Sequence, residues 1–263
     1  MSRLSAHDPT RRRCLAGNRI VGWGVAACVS TGACSPVVVR AVEPPAIVAF
    51  SSAMRGTPPS PWRFATLPRK AATRFSIVEL DRAHVLRVEA DRSYGNLVHP
   101  LQVHPSDSTT LTWRWRVEQL VEDADLRTKA GDDAPAKLCV LFDLPVDKLS
   151  LADRTTLRLA RVALGEDLPT QTLCYVWDNK LPPGTQLINA FTRRIRFIVL
   201  ESGTEKLSQW VSERRDVVAD YRGVFGEESR GSVPDIVGVA VTADADNTRG
   251  RGLAYFGDVT MAP

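Results

Sequence analysis

The densest group of oxygen-bearing side chains directly follows a strand-like run near residues 236–242. Asp244, Asp246, Asn247 and Thr248 stand there within five positions. Carboxylate, amide and hydroxyl oxygens are the ligands that calcium prefers, so Asp244 and Asp246 predict a calcium site. The alternative is a turn whose short polar side chains cap backbone amides.

A second group of charged side chains precedes another strand-like run, at residues 137–142. It consists of Lys129, Asp132 and Asp133. Adjacent acids on an extended chain point to different sides. We therefore expect one of the two to meet a ligand directly, while the other holds the loop.

A third charged group contains Arg215 and Asp216, with Asp220 four residues further along a helical pattern. Residues four apart share one face of a helix, so the two acids are expected on the same side. These charges fit a ligand site and ion pairs at a sheet edge equally well.

Trp177 has the surroundings that a sugar-binding platform needs. It is followed by Asp178 and Asn179 and then by a Pro-Pro-Gly turn. An indole face stacks on the apolar face of a pyranose, while short polar side chains bond the hydroxyls. We predict this role for Trp177, with a place in the core as the alternative.

These groups together define one predicted site for a polar ligand, to which no catalytic residue is assigned. The sequence lacks Gly-x-Ser-x-Gly, a phosphate-binding loop, Cys-x-x-Cys and His-Glu-x-x-His, which disfavours the common hydrolase, nucleotide-binding and zinc scaffolds. The predicted ligand-binding residues are Lys129, Asp132, Asp133, Trp177, Arg215, Asp216, Asp246 and Asn247.

The elements that must position these residues are mostly short strands with period-two alternation. Leu111, Trp113, Trp115 and Val117 share one face of such a strand, which is typical of a half-buried antiparallel strand. Many strands and few helices predict an all-β, two-sheet antiparallel β-sandwich. The predicted strands are 74–80, 84–90, 110–118, 137–142, 172–177, 194–200, 207–213, 236–242 and 253–260.

Two segments interrupt the β pattern and predict short helices. The first runs from a capping serine, Ser150, to Leu164 and is followed by Gly165. The second runs from Asp216, as N-cap or first-turn acid, to Phe225, with Gly226 as its terminator.

Residues 1–34 have the pattern of a bacterial export signal, with basic residues before a short apolar run. Val25-Ala26-Ala27-Cys28 resembles a lipobox, so we predict lipidation at Cys28 and a periplasmic, envelope-anchored protein. A cleaved soluble periplasmic protein is the alternative. Residues 35–46 predict a tether and residues 47–263 a single domain.

The leader also explains the net charge of +4. It contains five of the 34 basic residues and one of the 30 acidic residues, which leaves 29 of each sign in the remainder. The remainder is therefore neutral overall, which excludes a nucleic acid as partner on bulk charge. A membrane partner is expected only through the lipid anchor.

Cys139 and Cys174 lie in two separate strand-like runs. A disulfide requires one particular pairing register of the two strands. We therefore predict two buried free thiols, with a disulfide as the alternative in an oxidising compartment.

Several segments together resemble a family of bacterial exported proteins, the domain of unknown function 3047 family. The resemblance extends in order over about residues 47–261, with Ala245 as a departure where a threonine is expected. It strengthens the fold and location but implies no established activity. The segments that carry it are Leu111–Val117, Leu126–Asp133, Leu173–Asn179, Glu213–Val217, Asp220–Tyr221, Phe225–Gly226, Asp244–Thr248 and Ala254–Asp258.

The order of elements is also similar to the jelly-roll sandwiches of galactose-binding-like carbohydrate modules. In such modules an acid on the terminal strand often helps to hold a structural calcium ion. This resemblance adds Asp258 to Asp244 and Asp246 as an expected calcium ligand, although a fold does not establish a function.

The predicted function is non-catalytic binding of a carbohydrate or another polar small ligand. One alternative is a glycoside hydrolase or lyase that uses two of the carboxylates as general acid and base. The other is a structural envelope-assembly protein, which would have no ligand pocket. A shallow aromatic shelf would favour the binder, and a deep cleft with facing acids would favour the enzyme.

Overall fold

A computed structural model describes residues 46–164 and 168–262. The leader with Cys28, Gly165 and almost all of the predicted tether lie outside these residues. The strands are β1 Arg63–Ala65, β2 Arg74–Leu80, β3 Ala83–Asp91, β4 Tyr94–Val103, β5 Thr110–Gln119, β6 Ala134–Phe142, β7 Gln171–Asp178, β8 Gln186–Ile188, β9 Ile195–Ser202, β10 Val211–Asp216, β11 Ile236–Asp244, β12 Arg251–Phe256 and β13 Thr260–Ala262.

The strands form two sheets, which confirms the predicted all-β sandwich. The seven-stranded sheet has the order β1-β4-β11-β6-β7-β9-β8, and the six-stranded sheet contains β10-β5-β12-β3-β2 with β13 paired to β5. Pairing is antiparallel except between β7 and β9. The late strand β11 inserts between β4 and β6, two strands that come much earlier in the chain.

Alternating side chains of both sheets fill the core between them. Leu111, Trp113, Trp115 and Val117 of β5 are buried in this core, as their alternation predicts. A smaller apolar cluster lies on the other side of the seven-stranded sheet, where Leu126 and Phe197 pack beside the two cysteines. Both faces of the central strands β6 and β7 are therefore buried.

Two α-helices accompany the sheets in the described part of the chain. Helix α1, Leu151–Leu164, begins after Ser150, whose Oγ accepts a hydrogen bond from the backbone N–H of Asp153 at 3.1 Å. Helix α2, Val217–Ser229, begins after Asp216 and ends at Arg230 in the left-handed conformation. The prediction that Gly226 ends this helix is wrong, because the helix continues for three more residues.

Cys139 and Cys174 form a disulfide, which corrects the prediction of two free thiols. The two residues are direct partners in the antiparallel pairing of β6 and β7. This is the pairing register that a disulfide requires, and strand patterns alone do not reveal it.

The sequence patterns located most strands but missed β1, β4 and β8, and they predicted one strand at 253–260 where the structure has β12 and β13. Strand β4 contains Gly95 and Pro100, which interrupt its alternation, and β1 and β8 have only three residues each. The predicted strand at 207–213 is shifted, since β10 starts at Val211. No helix among the described residues is both long enough and apolar enough to span a bilayer.

Candidate functional site

The two predicted acidic loops meet at one end of the seven-stranded sheet. Strand β6 begins where the antiparallel β11 ends, so Asp132 and Asp133 lie beside Asp244 and the loop after it. We call the group of Asp132, Asp133, Asp244 and Asp246, with the ammonium groups of Lys70 and Lys137, the Asp132 cluster.

Asp133 holds the loop that follows β11. Its carboxylate accepts hydrogen bonds from the backbone N–H groups of Asn247 and Thr248, at 3.2 and 2.7 Å. The hydroxyl of Thr248 and the amide of Asn247 also donate to it, at 2.7 and 3.3 Å. The side chain is buried and has no capacity left for a ligand, so it has a structural role.

Asp244 and Lys137 form a buried ion pair. The Lys137 ammonium lies 2.8 and 2.6 Å from the two oxygens of Asp244, and the backbone N–H of Ala134 donates to the same carboxylate at 2.8 Å. Burial raises the pKa of Asp244 to about 6, against the opposing effect of Lys137. Burial alone would lower the pKa of Lys137, but the negative charges of Asp244 and Asp132 outweigh it and raise that pKa. The pair is therefore ionic at neutral pH.

Asp246 lies at the exposed side of the cluster and pairs with Lys70. The side chain of Asp246 is largely buried, whereas that of Lys70 is 41% exposed. Tyr94 lies close by, and its hydroxyl accepts a hydrogen bond from the amide of Asn96 at 3.2 Å. Burial raises the pKa of Tyr94, so the phenol remains protonated.

Asp132 differs from the other acids of the cluster because one of its oxygens is buried without a hydrogen-bond partner. Its Oδ2 accepts a hydrogen bond from the side-chain amide of Asn189 at 2.6 Å, but its Oδ1 is buried without a partner. The residue is only 7% exposed. Burial raises its pKa, against the opposing effects of Lys137 and Asn189. A buried acceptor without a partner is costly, and such groups need an explanation.

An exposed aromatic residue, Phe191, lies close to Asn189 and Lys129. Phe191 is 57% exposed and lies two residues after Asn189, which bonds Asp132. The ammonium of Lys129 lies 5.5 Å from the centre of the Phe191 ring. The structure thus brings Lys129 to the predicted site, with an aromatic neighbour that sequence reasoning missed.

Trp177 does not lie on the surface, and its predicted role as a sugar platform is wrong. The side chain is fully buried in the core, where its ring packs edge-to-face against Trp115 at a centroid distance of 5.8 Å. Its indole N–H donates to the carbonyl of Gly203 at 3.3 Å. The period-two alternation of β7 places Trp177 on the same side as Leu173 and Tyr175, which is the signal that favoured the core.

Arg215 and Asp216 do not join the Asp132 cluster either. The guanidinium of Arg215 binds the carboxylate of Asp220 at 2.9 and 2.6 Å, and the hydroxyl of Tyr175 donates to that carboxylate at 2.9 Å. Asp216 caps α2, since its carboxylate accepts from the backbone N–H of Ala219 at 2.8 Å. The ion-pair interpretation is therefore correct for Arg215, and the helix cap is correct for Asp216.

The three predicted calcium ligands do not converge. Asp244 is bound to Lys137, and Asp246 to Lys70. Asp258 follows β12 of the other sheet and accepts hydrogen bonds from the backbone N–H and the hydroxyl of Ser51, at 2.9 and 2.6 Å. No three His, Cys, Asp or Glu residues of the described chain are arranged to hold a metal ion. The segment after β11 is a turn, but its backbone N–H groups at Asn247 and Thr248 are capped by Asp133 of the other loop rather than by the turn's own side chains.

A family model described as "Protein of unknown function (DUF3047)" matches residues 60–260. Comparison with the curated proteins gives no match.

Solved structures with similar folds include three carbohydrate-active proteins. A family 12 xyloglucanase from Bacillus licheniformis is 10% identical with a TM-score of 0.39, over 74% of this chain and 88% of that one. The xyloglucanase domain of NopAA from Sinorhizobium fredii is 8% identical with a TM-score of 0.40, over 77% and 98%. The glycoside hydrolase domain of Endo-D from Streptococcus pneumoniae R6 is 10% identical with a TM-score of 0.30, over 76% and 21%. This chain thus spans about a fifth of that last protein, and no argument about function follows from similarity at this level.

Proposed function

We propose that this chain, which belongs to the DUF3047 family of proteins of unknown function, binds a carbohydrate or another polar small ligand at the Asp132 cluster without turnover. Membership of this family carries no activity, so the proposal rests on the chemistry of the cluster.

The unpartnered oxygen of Asp132 is the observation that carries the proposal. A ligand hydroxyl or ammonium group that donates to Oδ1 would supply the missing hydrogen bond. The charge of the site favours such a donor, because the four carboxylates of the cluster outnumber the ammonium groups of Lys70, Lys137 and Lys129. Asn189 already fixes the other oxygen, so the acceptor is held in place before a ligand arrives.

Phe191 adds the apolar contact that sugar binding uses. The exposed residue Phe191 donates its backbone N–H to Oδ1 of Asn189 at 3.0 Å, and the amide of the same Asn189 bonds Asp132. A pyranose stacked on the Phe191 ring would bring its hydroxyls towards the carboxylate. Phe191 thus takes the role that the sequence assigned to Trp177.

The test is a glycan array followed by titration calorimetry with the saccharides that bind. We expect Asp132→Asn and Phe191→Ala each to weaken binding by at least about tenfold, since each removes a contact of roughly 1.4 kcal/mol or more. Ile188→Ala is the matched control, because Ile188 is similarly exposed and precedes Asn189 in the chain. Unchanged affinity in both test variants would contradict the proposal.

A second candidate function, cleavage of glycosidic bonds by a hydrolase or lyase, is favoured by Asp132, because a buried carboxyl group with a raised pKa and an unpartnered oxygen fits a general acid. Release of reducing ends or unsaturated products from a bound polysaccharide would show turnover. If Asp132→Asn abolished that release while binding persisted, the enzyme would replace the binder.

We also propose that the chain is exported and anchored in the envelope through Cys28. The disulfide between Cys139 and Cys174 supports an oxidising compartment, because disulfides rarely persist in the cytosol. Incorporation of labelled palmitate tests the anchor. Normal processing of a Cys28→Ala protein would contradict it.

A further inference from the structure

The six-stranded sheet has a pocket of about 490 Å³. This pocket is separate from the Asp132 cluster, which lies at one end of the seven-stranded sheet. It lies beside β5 and β10, where Thr112, Arg114 and Ser212 alternate with the core residues of the same strands. Gly257 and Asp258, after β12, also line it. A volume of this size is in the range that small-ligand sites use.

Arg114 is held on both sides beside this pocket. Its guanidinium carbon lies 4.6 Å from the centre of the Trp210 ring, and the indole N–H of Trp210 donates to Asp81 at 3.0 Å. On the other side Arg114 packs against Gly257. A Cβ at that position would lie 2.6 Å from Cγ and 2.7 Å from Nε of Arg114, so any other residue would displace the side chain. The absence of a Cβ leaves room for the arginine.

The held guanidinium has no carboxylate partner in the described part of the chain. Arg116, two residues further on the same face of β5, shows the contrast. Its Nε lies 2.5 Å from Oε1 of Glu118, and its Nη1 lies 3.5 Å from Oδ2 of Asp81. A planar guanidinium that is stacked and unpaired is prepared to bind a carboxylate through two parallel hydrogen bonds.

The pocket lining also contains the carboxylates of Asp258 and Glu213, so beyond Arg114 it suits hydroxyls better than a second anionic group. The hydroxyl of Ser212 is exposed, and that of Thr112 bonds Thr260 at 2.5 Å. The carboxylate of Asp258 accepts two hydrogen bonds from Ser51, and its negative charge opposes a bare anion while it can accept from a neutral hydroxyl. His84 also lines the pocket, with Nδ1 at 2.7 Å from the carbonyl of Ala53.

We propose that this pocket binds a sugar that carries a carboxylate, that is, a uronic acid residue. Arg114 binds the carboxylate, while Asp258 and Ser212 bond the neighbouring hydroxyls. The site is independent of the Asp132 cluster, since it lies on the other sheet.

The test uses trigalacturonate, its methyl ester, acetate and inorganic phosphate as probes in titration calorimetry on the folded protein. We expect trigalacturonate to bind and the neutral ester to bind at least about tenfold more weakly, because the ester loses the charge-assisted hydrogen bonds. Acetate and phosphate should bind more weakly than trigalacturonate. Equal binding of ester and acid, or of acetate and trigalacturonate, would overturn the proposal, as would the absence of binding.

Substitutions of Arg114 test whether trigalacturonate binds in this pocket. Arg114→Ala should lower the affinity at least about tenfold, and Arg114→Lys should lower it less, because lysine keeps the charge but loses the planar fork. Arg116→Ala is the matched control and should bind as the parent does. If Arg114→Ala remains folded by its melting curve and binds as tightly as the parent, the proposal is wrong.

Discussion

Lys137 is a fully enclosed ammonium group on a strand that is otherwise apolar. Its charge is tolerated because Asp244 accepts it at 2.6 and 2.8 Å and Asp132 adds further negative charge. Removing one member of such a pair leaves an uncompensated buried charge, which costs more than the pair itself contributes.

We therefore predict that Lys137→Met lowers the free energy of unfolding by about 3–5 kcal/mol. The double variant Lys137→Met, Asp244→Asn should be more stable than Lys137→Met alone, because no unpaired charge remains. Urea denaturation measures both. Lys70→Met is the control, since its pair with Asp246 is partly exposed and should contribute less than about 1 kcal/mol. Equal losses for Lys137 and Lys70 would contradict the assignment.

The effect of Asp132 on the stability of the protein should depend on pH. Its pKa in the folded protein is raised, so the folded state binds this proton more tightly than the unfolded state does. Its ionisation therefore lowers stability above the folded pKa, and this cost disappears as the pH falls below the ordinary value. Asp132→Asn should raise the melting temperature at pH 7 and change it little at acid pH. A gain that is the same at both pH values would contradict this.

The same substitution separates stability from binding. If the role of Asp132 is to bind a ligand, Asp132→Asn should make the protein more stable and the binding weaker. A residue kept only for structure would show the opposite change in stability.

Helix α2 is capped at its start by Asp216, a residue that the sequence also predicted to bind the ligand. Asp216 accepts from the backbone N–H of Ala219 at 2.8 Å and precedes the first turn. We predict that Asp216→Ala lowers the free energy of unfolding by about 1 kcal/mol, as the loss of an N-cap does, with no change in ligand affinity. Thermal unfolding and calorimetry test this. A loss of affinity without a loss of stability would return Asp216 to the ligand set.

Elements with a regular period were predictable, and the loops between them only in part. Strand β5 alternates without interruption, so its buried face followed from the sequence. Asp132 and Asp244 flank recognisable strands, which is why their meeting could be expected once β6 and β11 pair. The outward position of Lys137 also follows from the alternation of β6, although its burial does not.

The remaining parts of the cluster have no periodic signal. Asn189 and Phe191 follow the three-residue strand β8, and Lys70 lies in a turn before β2. Their places depend on which strands are neighbours, and the order of strands in a sheet is a long-range property. The disulfide was missed for the same reason.

For the whole molecule, the disulfide between Cys139 and Cys174 predicts a dependence on redox conditions. It joins the two central strands and closes a loop with a sequence separation of 35 residues. On chain entropy alone such a link contributes about 4 kcal/mol, mainly by restricting the unfolded chain. Reduction, or the double variant Cys139→Ala, Cys174→Ala, should lower stability by about that amount in urea denaturation. Two free thiols in the oxidised, purified protein would contradict the link.

The position of β11 between β4 and β6 also has a consequence for the order in which the chain is made. Strands β4 and β6 are synthesised long before β11, and both keep an unpaired edge until it arrives. Unpaired strand edges of this kind can form β-sheet hydrogen bonds with other chains. Lys137 likewise has no partner until Asp244, 107 residues later in the chain, has been synthesised. A nascent chain that stops before residue 236 therefore has an open sheet, and we expect such fragments to aggregate or to need a chaperone.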